Sequence, residues 1–135
     1  MRLFLLLLLG ITLVSCEIDL DDENISFEKV AAFDIIVPSN LTVNFEYDVS
    51  FNYALVDDCR SFYNIEVESL ADDIRKITAF VEVDNNRNCS SVYSEHTHTF
   101  KFKPRTTGTY IFKFWNGVDA SGMDLFETHE ITVIN

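Results

Sequence analysis

The sequence predicts an all-β protein, a two-sheet antiparallel sandwich of about seven strands. Three observations carry this prediction. Apolar residues recur at every second position in run after run, which is the period of a strand with one buried face. The runs are spaced by about ten residues, with turn-forming residues between them. Almost no stretch carries the period of an amphipathic helix.

Taken in order, Ala31, Phe33, Ile35 and Val37 share one face before Pro38-Ser39-Asn40 breaks the run. From 41 to 55 the odd positions are Leu, Val, Phe, Tyr, Val, Phe, Tyr and Leu. This run exceeds the usual strand of about 5–6 residues, so a bend or bulge is expected near Ser50 to Tyr53. Phe45, Tyr47 and Val49 should then lie near the middle of the core. Tyr63, Ile65 and Val67 alternate with polar residues, as do Ile77, Ala79, Val81 and Val83. His96, His98, Phe100 and Phe102 form the next face, followed by Tyr110, Phe112 and Phe114, then Ile131 and Val133. Half-buried strands in this number pack as two sheets face to face.

Gly108-x-Tyr110, opening a strand after Pro104 and a short turn, resembles the tyrosine corner of immunoglobulin-like sandwiches. The resemblance implies that Tyr110 tucks under the corner and donates its hydroxyl to nearby backbone. Phe112 stands where antibody domains place a cysteine, so only the broad architecture carries over. Residues 27–135 are therefore expected to form one immunoglobulin-like β-sandwich domain.

Cys59 and Cys89 flank the hairpin expected from 63–68 and 77–84. With "LADDIR" holding the turn, its centre falls near residue 73 or 74, and the two cysteines are equidistant from it. They are expected to form a disulfide. The alternatives are two free thiols or a thiolate pair on a metal.

The N-terminal stretch "MRLFLLLLLGITLVSC" combines a basic residue, Arg2, with an apolar run from Leu3 to Val14. That run falls short of the ~20 residues needed to span a bilayer, and it reads as a signal peptide over 1–15. Leu13-Val14-Ser15-Cys16 resembles the lipobox of bacterial lipoproteins. The resemblance implies cleavage before Cys16 and a diacylglycerol thioether on its sulfur, with acylation (palmitate or a similar chain) of the new amine. Several acyl chains make a stable anchor where one is marginal. Lipidation also accounts for the odd cysteine out of three. The alternative is ordinary signal cleavage with no lipid.

Residues 16–26 read as an acidic tether, with Asp19, Asp21, Asp22 and Glu23 behind the cysteine. Acidic residues at this place resemble the surface-export signal of Bacteroidota-type lipoproteins. They imply an outer-membrane address, on the surface or facing the periplasm. Removal of Arg2 with the signal leaves 9 basic and 22 acidic side chains, a formal charge of −13. Such a surface repels nucleic acid and anionic headgroups, so no nucleic-acid partner is expected. Alternating strands also build membrane barrels, but a lipid anchor and a core-filling apolar face favour the sandwich.

No catalytic residues are expected. The sequence holds no Gly-x-Ser-x-Gly and no phosphate-cradling glycine loop. His96 and His98 project to one face about 7 Å apart, and His129 could complete a zinc site if its strand lay nearby. Their parity with Phe100 and Phe102 makes a core role the stronger reading. Asp119, Ser121, Gly122 and Asp124 faintly match a calcium loop but lack its regular acidic positions. No cofactor is therefore expected, with calcium or zinc as the weak candidates. Lys101, Lys103, Arg105 and Lys113 form the basic cluster, an ordinary solvated face. Trp115 and Phe80 have parity opposite to their strands' buried residues, so they are expected outward as ligand contacts. The expected function is a membrane-anchored, non-catalytic binding or accessory subunit at the cell envelope, with a protein partner. The alternatives are a glycan-binding module that uses the outward aromatics, and a histidine-based metal hydrolase.

Overall fold

The computed structural model describes residues 24–135. The stretch read as a signal peptide, Cys16 and most of the stretch read as a tether lie outside them. The described chain forms nine strands: β1 (Ile25–Val30), β2 (Phe33–Ile36), β3 (Asn40–Thr42), β4 (Tyr47–Leu55), β5 (Arg60–Ser69), β6 (Ile74–Asp84), β7 (Ser94–Phe102), β8 (Gly108–Val118) and β9 (Asp124–Ile134). They make a two-sheet β-sandwich, as the alternation predicts. The smaller sheet runs β2-β4-β7 and the larger holds the other six strands. Nine strands replace the expected seven for two reasons. The 41–55 run splits into β3 and β4, and β1 begins at Ile25, inside the stretch read as tether.

The break in that run comes earlier than expected. It falls over Val43–Glu46, where Asn44 adopts a φ of 67°, a left-handed conformation that asparagine tolerates better than most residues. Phe45 is consequently 64% exposed, while Val49, Phe51 and Tyr53 take the core positions.

β6 organises the larger sheet. One edge pairs with β5 along its length. The other edge takes two partners in succession: β1 antiparallel, from Ile25 opposite Asp84 to Val30 opposite Ala79, then β8 parallel, from Ile74 opposite Ile111 to Ile77 opposite Phe114. β3 also pairs parallel, with β9. The larger sheet is therefore mixed, where an antiparallel one was expected. Parallel neighbours need a crossover, and β7, in the opposite sheet, supplies it between β6 and β8.

Between the sheets lie Leu41, Val49, Phe51, Ile77, Phe112, Phe114 and Ile131, each almost wholly buried. Phe114 contacts the rings of Phe51, Phe100 and Phe112, so one strand ties both sheets together. Tyr110 is buried at the start of β8, behind Gly108, whose φ of 130° suits glycine. Its hydroxyl meets the Thr106 hydroxyl at 2.9 Å. A side-chain partner stands in place of the expected backbone one. The tyrosine that meets backbone is Tyr47, whose hydroxyl accepts from Thr42 N–H at 2.8 Å.

Cys59 and Cys89 are bonded, with Cα atoms 5.4 Å apart. The register that joins them differs from the expected one. Arg60 faces Val83 and Ser69 faces Arg75, so the turn is centred nearer residue 72. Asp84 N–H donates to the Cys59 carbonyl at 3.0 Å. After Asp84 the chain leaves the ladder and doubles back, which brings Cys89 to Cys59.

Candidate binding face

The outer face of the larger sheet is set by parity. On β8, Phe112 and Phe114 point inward, so Ile111, Lys113 and Trp115 point outward. Register carries this across the strands: Trp115 is opposite Phe126 on β9, and Phe80 on β6 is opposite Lys29 on β1. Trp115 and Phe80, both expected outward, therefore share one face.

Three further aromatics join them. Phe27 packs against Tyr63 with ring centroids 4.5 Å apart and planes tilted by 48°. Both are about half exposed, at 53% and 52%. With Phe80 they rim a depression of about 340 Å³. Phe126, partly exposed, extends the row across β9. Tyr63 was expected in the core beside Ile65 and Val67. A bulge between Phe62 and Asn64 shifts the register, turning Phe62 inward and Tyr63 out, and Val67 is itself about half exposed.

Ion pairs punctuate the row. Lys29 Nζ lies 5.3 Å from the Trp115 ring centre and 3.0 Å from an Asp124 carboxylate oxygen. Trp115 Nε1–H donates to Asp124 at 2.7 Å. These two donors, the indole first, hold the Asp124 carboxyl below its ordinary range. Lys76 pairs with Glu68 on the same face. Lys29 thus joins the two halves of the row, since it neighbours Phe80 in register and covers Trp115.

The histidines serve elsewhere. His98 stacks on Phe62 at 4.4 Å and contacts Phe51 at 5.6 Å. Burial among these rings lowers its pKa. His96 stacks on Tyr53 and meets the Ser94 hydroxyl at 2.9 Å. His129 contacts Phe114 edge-on and Glu127 at 2.8 Å. His96 and His98 complete the core at its rim, as parity suggests. Among the described residues the one cluster of metal-capable side chains is Asp57, Cys59 and Cys89, and its two sulfurs are committed to the disulfide.

In the 116–124 loop, Asp119 Oδ1 accepts from the Ser121 hydroxyl at 2.6 Å and from the Ser121 and Met123 amides at 2.8 and 3.0 Å. These bonds lower its pKa, the hydroxyl first. Asp124 turns away to Lys29 and Trp115. The two carboxylates close a turn and brace a face, and they do not converge on a shared point. The basic cluster read from sequence also divides: Lys101 pairs with Asp48, and Lys113 lies on the larger sheet's outer face.

Phe27, Tyr63 and Phe126 are the residues of this face that sequence reasoning missed. Extending the parity of Ile131 and Val133 back along β9 would have placed Phe126 outward. Phe27 alternates with Ser26 and Glu28 in "ISFEKV", which had been read across a domain boundary. No known protein family, curated protein or solved structure matches the chain.

Proposed function

We propose that this chain is an outer-membrane lipoprotein, anchored through Cys16, that acts as a binding or accessory subunit and not as an enzyme. The observation that carries the binding reading is the aromatic row Tyr63, Phe27, Phe80, Trp115 and Phe126 on one outer face. Aromatic side chains lend large contact area at little entropic cost and anchor protein interfaces. The tilt between Phe27 and Tyr63 and the cover of Lys29 over Trp115 suit an irregular protein partner. A flat sugar-stacking platform would need open, coplanar rings. The anchoring rests on the lipobox likeness and the acidic stretch behind it. On this reading the tether holds the sandwich off the membrane and leaves its larger sheet open to an envelope partner.

Labelled palmitate tests the anchor. Incorporation by the wild type and its loss in Cys16→Ser is the expected result, and label retained in Cys16→Ser would contradict it. A second reading, a glycan-binding module, draws on the same outward aromatics. If Trp115→Ala leaves a glycan-array profile unchanged, that reading fails.

A further inference from the structure

The cations of this chain divide into two groups. Among the described residues, Lys29, Arg60, Lys76, Arg87 and Lys101 each lie within 4.0 Å of a carboxylate. Arg75, Lys103, Arg105 and Lys113 do not. These four have no carboxylate partner among the described residues, although the chain holds 22 acids to 10 bases. Three of these four line a single cavity of about 480 Å³, a size common for small-ligand sites.

The fold brings the three together from separate strands. Arg75 lies at the start of β6, and Lys103 and Arg105 follow β7. Phe102, part-exposed, supplies the cavity's aromatic wall; Tyr110 borders it at only 4% exposure, its hydroxyl bonded to that of Thr106 at 2.9 Å. Arg75 is fixed by two bonds from Nη1 to the Ala71 and Ile74 carbonyls, at 2.9 and 3.1 Å. Its guanidinium also lies 5.8 Å from the Tyr110 ring centre. This leaves a positioned, planar cation beside two exposed ones. Asp72 also lines the cavity yet pairs with none of the three.

We infer that this cavity binds an acidic saccharide. Cations at its rim would take the carboxylate or sulfate, and the part-exposed Phe102 would meet the apolar side of the ring. The site goes beyond the proposed partner face and lies apart from it. β1 enters the fold beside Asp84, at the other end of β6 from Arg75, about 30 Å away at strand rise. The cavity therefore opens away from the end where the chain enters the sandwich.

Calorimetric titration of the detergent-purified mature protein tests the inference, using trigalacturonate, a sulfated disaccharide and neutral galactotriose. Binding of either acidic sugar, at least about tenfold tighter than the neutral one, is the expected result, and the two acidic arms distinguish carboxylate from sulfate. Lys103→Gln with Arg105→Gln, both exposed and free of structural bonds, should raise Kd about tenfold or more. Lys113→Gln, the unmatched cation outside the cavity, should leave Kd unchanged. The inference is overturned if neither acidic sugar binds, if the neutral sugar binds equally well, or if Lys113→Gln weakens binding as much as the cavity pair. Equal affinity for a peptide's C-terminal carboxylate would also overturn it.

Discussion

The two sheets of this sandwich offer water two different outer faces, built from the same alternating pattern. On the smaller sheet the outward residues are Asp48, Ser50 and Asn52 of β4 and Thr97, Thr99 and Lys101 of β7. They bond to each other: Thr97 to Asn52 at 2.7 Å, and Lys101 to Asp48. On the larger sheet the same positions carry Tyr63, Phe27, Phe80, Trp115 and Phe126. β4 and β7 act as an internal control, because they display what this fold needs from a face that is only solvated. Those two strands carry no outward aromatics; β2, at the sheet edge, adds Phe33 and Ile36 in register with Asn52 and Ser50. The aromatic row on the larger sheet, with Lys29 and Asp124 holding Trp115 in place, calls for an explanation outside folding.

Substitutions can sharpen that contrast, and the inner faces set the scale. Phe114→Ala removes a fully buried ring that touches both sheets and should cost about 3–5 kcal/mol by urea denaturation. Replacing Cys59 and Cys89 together by serine opens a loop with a separation of 30 residues. It should cost about 3–4 kcal/mol on the chain-entropy account. This disulfide braces the start of β5, the strand that carries Tyr63.

His98 adds an effect that varies with pH. Burial holds its folded pKa below the ordinary 6.5, so the unfolded chain takes up a proton that the folded one resists. Its contribution to stability is complete above pH 6.5 and is lost as pH falls from there toward the folded value. Wild-type protein should therefore lose stability as pH falls below 6.5, and His98→Gln should flatten that part of the profile.

The smallest effects decide the comparison. Phe27→Ala with Tyr63→Ala should cost about 1–2 kcal/mol, the worth of a half-exposed aromatic pair. Asn52→Ala on the smaller sheet should cost about 0.5 kcal/mol. A much larger cost for the aromatic pair would make those rings part of the fold's own stability and dissolve the contrast.

Much of this was legible in the sequence. Alternation alone gave the strands of the core, because a period of two commits every second side chain to one face. Trp115 and Phe80 were found because they break that pattern on strands whose inner residues are unmistakable. The pairing of Cys59 with Cys89 was right for a partly wrong reason, since the chain's return after Asp84 joins them and not an extended ladder. Tyr63 was misplaced because one bulged residue reverses every face beyond it, and a bulge has no signal in alternation. Arg75 could not be grouped with Lys103 and Arg105, since that meeting depends on β6 lying parallel to β8. Crossovers between sheets are a property of topology and leave no local trace.

The most direct test of the binding account is capture from detergent-solubilised membranes with tagged wild type, the Phe27→Ala/Tyr63→Ala pair and Asn52→Ala side by side. The account predicts a stoichiometric envelope partner with wild type and Asn52→Ala, and its loss with the aromatic pair at unchanged secondary structure. A partner retained equally by all three, or captured by none, would contradict it.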